Sequence, residues 1–278
     1  MSSLAEALRK SAVTIDLPKG SRGDTLGIKA VARIAQGHGL PGHVVEAEAL
    51  KLDIIPSRYL RNMDSITATD QIKLLESSIA QVGLGGLGGT LLEMFLRTGI
   101  GTIRGADGDD FEESNLNRQA LSTPDNLNAP KVSVATSRAQ EINPSLTFEG
   151  LNTFLTKDSL PDFLTGTDLA IDALGGLEMR LALQHAATDA GIPLVTGALA
   201  GWTGYVGTVM PGQLGPANIM GQDNGAEEKL GCPAPAVTFI ASLMATEVIK
   251  ILSGQPSDLA SAMLVIDLKT LTFEKISL

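Results

Sequence analysis

The sequence predicts an α/β fold built on a mostly parallel sheet with helices on both faces and an antiparallel C-terminal extension. From Ser77 onward, short apolar segments alternate with amphipathic segments of helical length, which is typical of a parallel sheet with crossover helices. Aromatic residues make up only 4% of the 278 residues while 30 are Gly, which indicates an aliphatic core and tight turns. A chain of this length buries a full core and accommodates one large domain with an appendage.

Residues 1–65 are expected to form a small helical appendage, separate from the domain at residues 66–278. The segment TLGIKAVARIAQGHG has apolar residues at helical spacing and ends at Gly39, and PGHVVEAEALKLD starts a second helix behind Pro41. Two such helices could form a helix-turn-helix, but the acidic second helix, which contains Glu46, would repel phosphates. Packing or a contact with a partner is therefore favoured over DNA binding.

The large domain has five predicted strands, in order SSIAQVG, GTIRGAD, LTFEG, DLAIDAL and IPLVTGA. Between them the sequence predicts helices at GGTLLEMFLRTG, APKVSVATSRAQEIN and GLEMRLALQHAATDAG. GWTGYVGTVM then has the pattern of an antiparallel strand, and residues 211–231 form a Gly- and Pro-rich loop. A long helix, PAPAVTFIASLMATEVIKILSG, and a hairpin, AMLVIDLKTLTFEKISL, complete the chain. A long loop inside a compact domain is usually functional.

Composition narrows the classes of function. A net charge of −10 disfavours nonspecific nucleic-acid binding, which depends on surplus Lys and Arg. No apolar run approaches the roughly 20 residues of a membrane helix, and MSSLAEALRK lacks the apolar core of a secretory signal, so we expect a cytoplasmic protein without a membrane partner. The single cysteine, Cys232, excludes an internal disulfide, and without a CxxC pair we expect no zinc.

A glycine-rich turn lies directly between the first predicted strand of the large domain and the helix that follows it. The turn reads GLGGLG, with glycines at Gly83, Gly85, Gly86 and Gly88. Glycine lets backbone N–H groups approach phosphate oxygens, and the helix N-terminus adds partial positive charge. The next strand ends at Asp107, where a carboxylate can accept both hydroxyls of an adenosine ribose. These features fit an NAD-dependent oxidoreductase as well as an enzyme that uses ATP.

The segment after Asp107 favours ATP. It places Asn115 and Arg118 three residues apart, on one side of a helical turn, and Lys131 follows at the start of a helix. Hydride transfer needs no cluster of cations near the phosphates. Cleavage of the α–β bond of ATP does, because negative charge grows on the departing pyrophosphate.

Together these motifs resemble the MoeB, ThiF and HesA group of bacterial enzymes related to ubiquitin-activating enzymes. The resemblance depends on strand-GLGGLG-helix, the DGD sequence followed by SNLNRQ, and the NAPK segment, and it extends from about Arg58 to the C-terminus. It implies a Rossmann-like ATP-binding adenylation domain at residues 66–278. The implied partner is a small β-grasp sulfur-carrier protein that ends in Gly-Gly, and the implied reaction is adenylation of its C-terminal carboxylate.

The resemblance also implies roles for individual residues. Asp109 would lie near the nucleotide, and Arg61, in a segment similar to the group's RYxRQ, would reach the ATP site of the partner subunit in a homodimer. Contacts with the triphosphate are implied for four residues: Ser114, Asn115, Arg118 and Lys131. On this basis Arg118, Lys131 and Arg61 are the candidate catalytic residues.

The chain departs from the group at two places. The group has an Asp-Asn pair that binds Mg²⁺ and nucleotide, where this chain has Gly175 and Gly176. Gly175 is kept as a candidate nucleotide contact, and Asp109 and Asp172 become the candidate ligands for Mg²⁺. The group's thiol-transfer members carry a cysteine in the crossover loop, whereas Cys232 lies at the end of that loop. We therefore expect an adenylate product without an obligatory thioester, and Cys232 packed at a helix start. A scaffold of the same family that binds nucleotide but turns over weakly remains an alternative, beside the NAD-dependent oxidoreductase.

Overall fold

The N-terminal segment folds as a small mixed unit rather than as helices alone. In the computed structural model, which describes residues 3–17, 20–220 and 229–278, its elements are α1 (Leu4–Ser11), β1 (Val13–Asp16), β2 (Arg22–Leu26), α2 (Ile28–His38), α3 (Gly42–Leu50) and β3 (Ile54–Pro56). Strand β2 pairs antiparallel with β1 and parallel with β3. The two predicted helices are present as α2 and α3. The strands have only three to five residues, too few to show an alternation of apolar and polar positions, and they were not predicted.

Helix α3 joins this unit to the large domain. Its Val45 and Ala49 pack in the small N-terminal core, while Ala47 and Leu50 belong to the main core. Between these faces Glu46 is fully buried and accepts hydrogen bonds from the Tyr59 hydroxyl at 3.2 Å and the Ser145 hydroxyl at 3.0 Å. Burial raises the pKa of the Glu46 carboxyl. The packing of α3 therefore continues across the boundary that the sequence suggests near residue 65.

The large domain is centred on one eight-stranded sheet. Its strands are β4 (Ser78–Val82), β5 (Thr102–Asp107), β6 (Thr147–Asn152), β7 (Leu169–Asp172), β8 (Leu194–Ala200), β9 (Thr203–Val209), β10 (Ala262–Asp267) and β11 (Thr272–Ser277), in the spatial order β11-β10-β9-β8-β7-β4-β5-β6. The five strands from β8 to β6 are parallel, and β9, β10 and β11 continue the sheet antiparallel. The predicted fold class is confirmed. Because β4 lies between β5 and β7, the strand order reverses at its carboxyl end, where nucleotides bind in sheets of this kind.

Helices cover both faces of the sheet. They are α4 (Ala68–Glu76), α5 (Gly86–Thr98), α6 (Lys131–Ile142), α7 (Leu160–Leu164), α8 (Arg180–Asp189) and α9 (Ala234–Leu252). Helices α5, α6 and α9 contribute to the main core on one face, and α7 and α8 to a second core on the other. Residues 221–228 of the predicted crossover loop lie outside the described residues.

Helix α9 has 19 residues and is long and apolar enough, by length and composition, to cross a membrane. The sequence predicted no run approaching that length. In the structure α9 packs against α5, β8 and β9 and contributes Ile240, Met244 and Val248 to the main core. Its apolar composition is therefore explained by its position in the core.

Candidate nucleotide site

The glycine turn between β4 and α5 adopts a conformation that depends on glycine. Gly83 has a φ of +101°, and a Cβ added there would lie 2.4 Å from the carbonyl oxygen of Ala173. Both the positive φ and the close approach to the neighbouring β7 loop exclude a side chain. The turn thus brings the backbone of the β4–α5 connection to the carboxyl ends of the central strands.

A cavity of about 450 Å³ lies against this turn. Nine of the residues predicted for the site line it: Gly83, Gly85, Gly86, Asp107, Asp109, Asn115, Arg118, Lys131 and Gly175. Its volume falls in the range of small-molecule sites, about 300–1000 Å³. Residues that are up to 92 positions apart in the sequence are thus gathered around one space.

Asp107 is held in place by the loops around it. Its Oδ2 accepts a hydrogen bond from the backbone N–H of Leu84 at 2.7 Å, and its Oδ1 accepts one from the N–H of Asp109 at 2.9 Å. Each carboxylate oxygen has a second lone pair. Asp107 can therefore accept hydroxyl hydrogen bonds from a ribose without rearranging its own contacts.

The two predicted cations that line the cavity differ in their contacts. Lys131 is 5% exposed, and its Nζ donates to Oδ2 of Asp109 at 2.9 Å. Arg118 is half-buried; its Nη1 donates to the Ser114 carbonyl at 3.0 Å and to the Asn117 side chain at 2.9 Å. Nε and Nη2 of Arg118 have no hydrogen-bond acceptor among the described residues. Arg118 therefore keeps donors for phosphate oxygens, whereas Lys131 would divide its charge between Asp109 and a ligand.

Asp172 does not face the cavity as an open ligand. It is 1% exposed, its Oδ2 accepts hydrogen bonds at 2.7 Å from both Arg180 Nη1 and the Thr196 hydroxyl, and its Oδ1 accepts one from the N–H of Leu174 at 3.1 Å. A buried carboxylate paired in this way would have to give up a buried ion pair in order to bind a metal. The geometry does not support the role of Asp172 as a Mg²⁺ ligand.

Asp109 is the better candidate of the two. Its side chain is 52% exposed, and its Oδ1 accepts no hydrogen bond from the described residues. In the described part of the chain no three His, Cys, Asp or Glu residues form a metal cluster. Since Mg²⁺ often binds through one or two carboxylates together with substrate phosphates, the residues present fit an ion that Asp109 and a nucleotide hold jointly.

Besides Asp172, three predicted residues do not line the cavity. A Cβ on Gly88 would meet the carbonyl oxygen of Gly83 at 2.0 Å, so Gly88 permits α5 to pack on the turn rather than contacting phosphate. Ser114 is exposed, with its hydroxyl 3.5 Å from a Glu112 oxygen. Arg61 is exposed on the turn after a short 3₁₀ helix, and its role in a partner subunit stays a prediction.

Lining residues that the sequence did not assign to the nucleotide include Gln119, Arg180 and Cys232, which can take part in polar contacts or chemistry. Gln119 is 7% exposed, and its Oε1 has no hydrogen-bond partner among the described residues. Arg180 borders the cavity while holding Asp172, and Cys232 borders it just before α9. Gln119 is the last residue of the SNLNRQ motif, so that motif could have indicated it as a site residue. Arg180 begins a helix of mixed composition, RLALQHAATD, and its partner Asp172 is visible only in three dimensions.

Comparisons with known proteins identify the family of the chain and proteins of similar fold. Residues 59–278 match the ThiF family. The chain is 32% identical over 204 residues to the sulfur carrier protein ThiS adenylyltransferase of Escherichia coli strain K12, covering 71% of this chain and 81% of that protein. It is also 32% identical over 235 residues to the sulfur carrier protein adenylyltransferase of Thermus thermophilus, covering 79% and 86%.

Among solved structures, E. coli MccB with selenomethionine MccA superposes with a TM-score of 0.70 at 19% identity, covering all of this chain and 82% of that one. That likeness concerns the fold. The sequence matches confirm the resemblance to the MoeB, ThiF and HesA group, and the chain belongs to the ThiF family.

Proposed function

We propose that this enzyme uses ATP to adenylate the C-terminal carboxylate of a small sulfur-carrier-type protein and releases pyrophosphate. The observation that supports this most strongly is the joint cavity of about 450 Å³ in which the glycine turn, Asp107, Arg118 and Lys131 meet. The named relatives are adenylyltransferases, and two of them act on sulfur carrier proteins.

The reaction is an in-line displacement at phosphorus. A carboxylate oxygen of the carrier attacks the α-phosphorus, a new P–O bond forms, and the bond to the bridging α–β oxygen breaks, so that its electron pair leaves with pyrophosphate. The glycine turn would bind phosphate oxygens through backbone N–H groups, and Asp107 would orient the ribose.

Charge on the leaving group is the main electrostatic demand. Arg118 would stabilise it through its remaining N–H donors, and Lys131 would share its charge with Asp109 and the phosphates. Mg²⁺, held by Asp109 and the nucleotide, would supply further positive charge. Holding two reactants in line is worth about 7–11 kcal/mol of the barrier in favourable cases.

A homodimer, with Arg61 reaching into the partner's site, is part of this proposal, as are cytoplasmic location and a carrier tail with a terminal glycine. Arg61 is exposed and does not line the cavity of its own chain, as a residue acting in a partner would require. Arg61→Ala and Arg118→Ala, each impaired alone, should regain carrier-dependent turnover when mixed, because a mixed dimer then has one site with both arginines intact. No gain on mixing would count against this assignment.

The test of the function is direct. Candidate β-grasp carriers are incubated with the enzyme, ATP and Mg²⁺, and the carrier mass is measured. We expect an added AMP group that depends on a free C-terminal carboxylate. If the chain binds ATP but adenylates no β-grasp protein encoded beside it, the result would instead support a scaffold that binds nucleotide and turns over weakly.

A further inference from the structure

A second cavity of about 460 Å³ adjoins the nucleotide cavity and differs from it in chemistry. The two share Gly175, Arg180, Ala198 and Leu199 in their linings. Beyond these residues, the second cavity is bordered mainly by apolar side chains, among them Leu177, Leu230, Met263 and Val265. We call it the tail cavity.

Two polar side chains that border the tail cavity, those of Arg180 and Tyr205, already have partners. Arg180 is 3% exposed and donates to Asp172 at 2.7 Å and to the carbonyl of Gly197 at 3.1 Å. The hydroxyl of Tyr205 lies 3.5 Å from that of Thr196. Since an ion pair neutralises its buried cation, the tail cavity favours an apolar group over a second carboxylate.

Gly175 lines both cavities and therefore lies where they adjoin. A Cβ built on Gly175 would meet no heavy atom within 4 Å, so open space lies where other residues would carry a side chain. A residue whose carboxylate lies in the nucleotide cavity could therefore extend its side chain, or that of its neighbour, past Gly175.

We propose that the tail cavity binds an apolar side chain carried by one of the last two residues of the polypeptide that is adenylated. This inference rests on the proposed function and makes Gly175 a specificity-determining residue. It also departs from the Gly-Gly ending that the family resemblance implies. A Gly-Gly tail would leave the tail cavity empty, whereas a leucine or methionine would fill part of it.

The experiment uses short peptides that are identical except for their ends, Gly-Gly, Leu-Gly or Gly-Leu, with the full chain and ATP. Pyrophosphate–ATP exchange gives kcat/KM, and the methyl resonance of ¹³C-labelled Met263 reports occupancy of the tail cavity. We expect one leucine peptide to exceed Gly-Gly by about 10- to 100-fold, and to shift the Met263 resonance where Gly-Gly does not.

A filling variant provides the control. Ala200→Leu, which adds bulk inside the tail cavity, should reduce the leucine preference about tenfold or more. Ala190→Leu makes the same change at an exposed position outside both cavities and should retain the preference. Equal rates for all three peptides, or a Met263 resonance that no peptide shifts, would overturn the inference. A Met263 shift without any exchange would uphold the tail cavity and count against adenylation.

Discussion

The nucleotide cavity and the tail cavity meet at Gly175 and Arg180 but are built in opposite ways. The nucleotide cavity lies at the ends of parallel strands and is bordered by charged groups, among them Asp107, Arg118 and Lys131. The tail cavity lies on the antiparallel extension and is bordered mainly by aliphatic side chains. From this difference we infer that the parallel part of the sheet orients the phosphates of ATP, and that the antiparallel part binds the end of the polypeptide that is adenylated.

The largest effect is expected at the wall between the cavities. Arg180→Met removes the cation from the buried Asp172 and should lower the free energy of unfolding by about 3–5 kcal/mol, because the carboxylate stays buried without its partner. Urea denaturation measures this. The double variant Asp172→Asn/Arg180→Met should regain most of the loss. Arg97→Met, at a side chain 60% exposed, should change stability by less than about 1 kcal/mol. A loss below about 1 kcal/mol in Arg180→Met would show that the pair does not support the wall.

The next prediction concerns Arg118, one of the charged residues that line the nucleotide cavity. Arg118→Ala should lower carrier-dependent exchange about 100- to 1000-fold, as expected for one preorganised donor. Arg97→Ala, outside both cavities, serves as the matched control and should exchange at the wild-type rate. Near-normal exchange by Arg118→Ala would remove Arg118 from the mechanism.

Arg118 and Arg180 also show which parts of the site can be predicted from the sequence. Arg118, Lys131, Asp107 and the glycine turn follow from local motifs, since each is fixed by its distance along the chain from one strand end. Arg180 is not visible in this way, because its partner and its two cavities come from tertiary packing. Likewise, β1–β3 are too short for periodicity to reveal, although the sheet of the large domain follows from the alternation of apolar strands with amphipathic helices.

The Gly175→Asp substitution tests the difference between the two cavities, because it places a carboxylate where they adjoin. The open space at this position accommodates the side chain, and we expect Mg²⁺-dependent ATP turnover to rise about tenfold if the missing acid limits it. The variant should also lose the preference for apolar tails. Gly175→Asn, similar in size but uncharged, should produce less of the gain. Turnover unchanged at every Mg²⁺ concentration would reject the missing ligand as the limit, and calorimetric Mg²⁺ titration of the nucleotide complex checks binding independently.

The smallest effect is expected at Gln119. Gln119→Leu removes a buried oxygen that accepts no hydrogen bond within the described parts of the chain, so the free energy of unfolding should stay constant or rise. ATP affinity should fall about 2- to 10-fold if the nucleotide complex supplies the missing hydrogen bond. Calorimetric titration with a non-hydrolysable ATP analogue measures the affinity, and Gln140→Leu, exposed on α6, is the control. Unchanged affinity would mean that the amide serves only the fold.

In the proposed mechanism, a polypeptide carboxylate attacks the α-phosphorus of ATP in the nucleotide cavity. Labelled pyrophosphate exchange into ATP tests it when the same carrier is supplied with a free C-terminal carboxylate and with a C-terminal amide. We expect exchange with the carboxylate and none with the amide. Equal exchange with both carriers would rule out this mechanism.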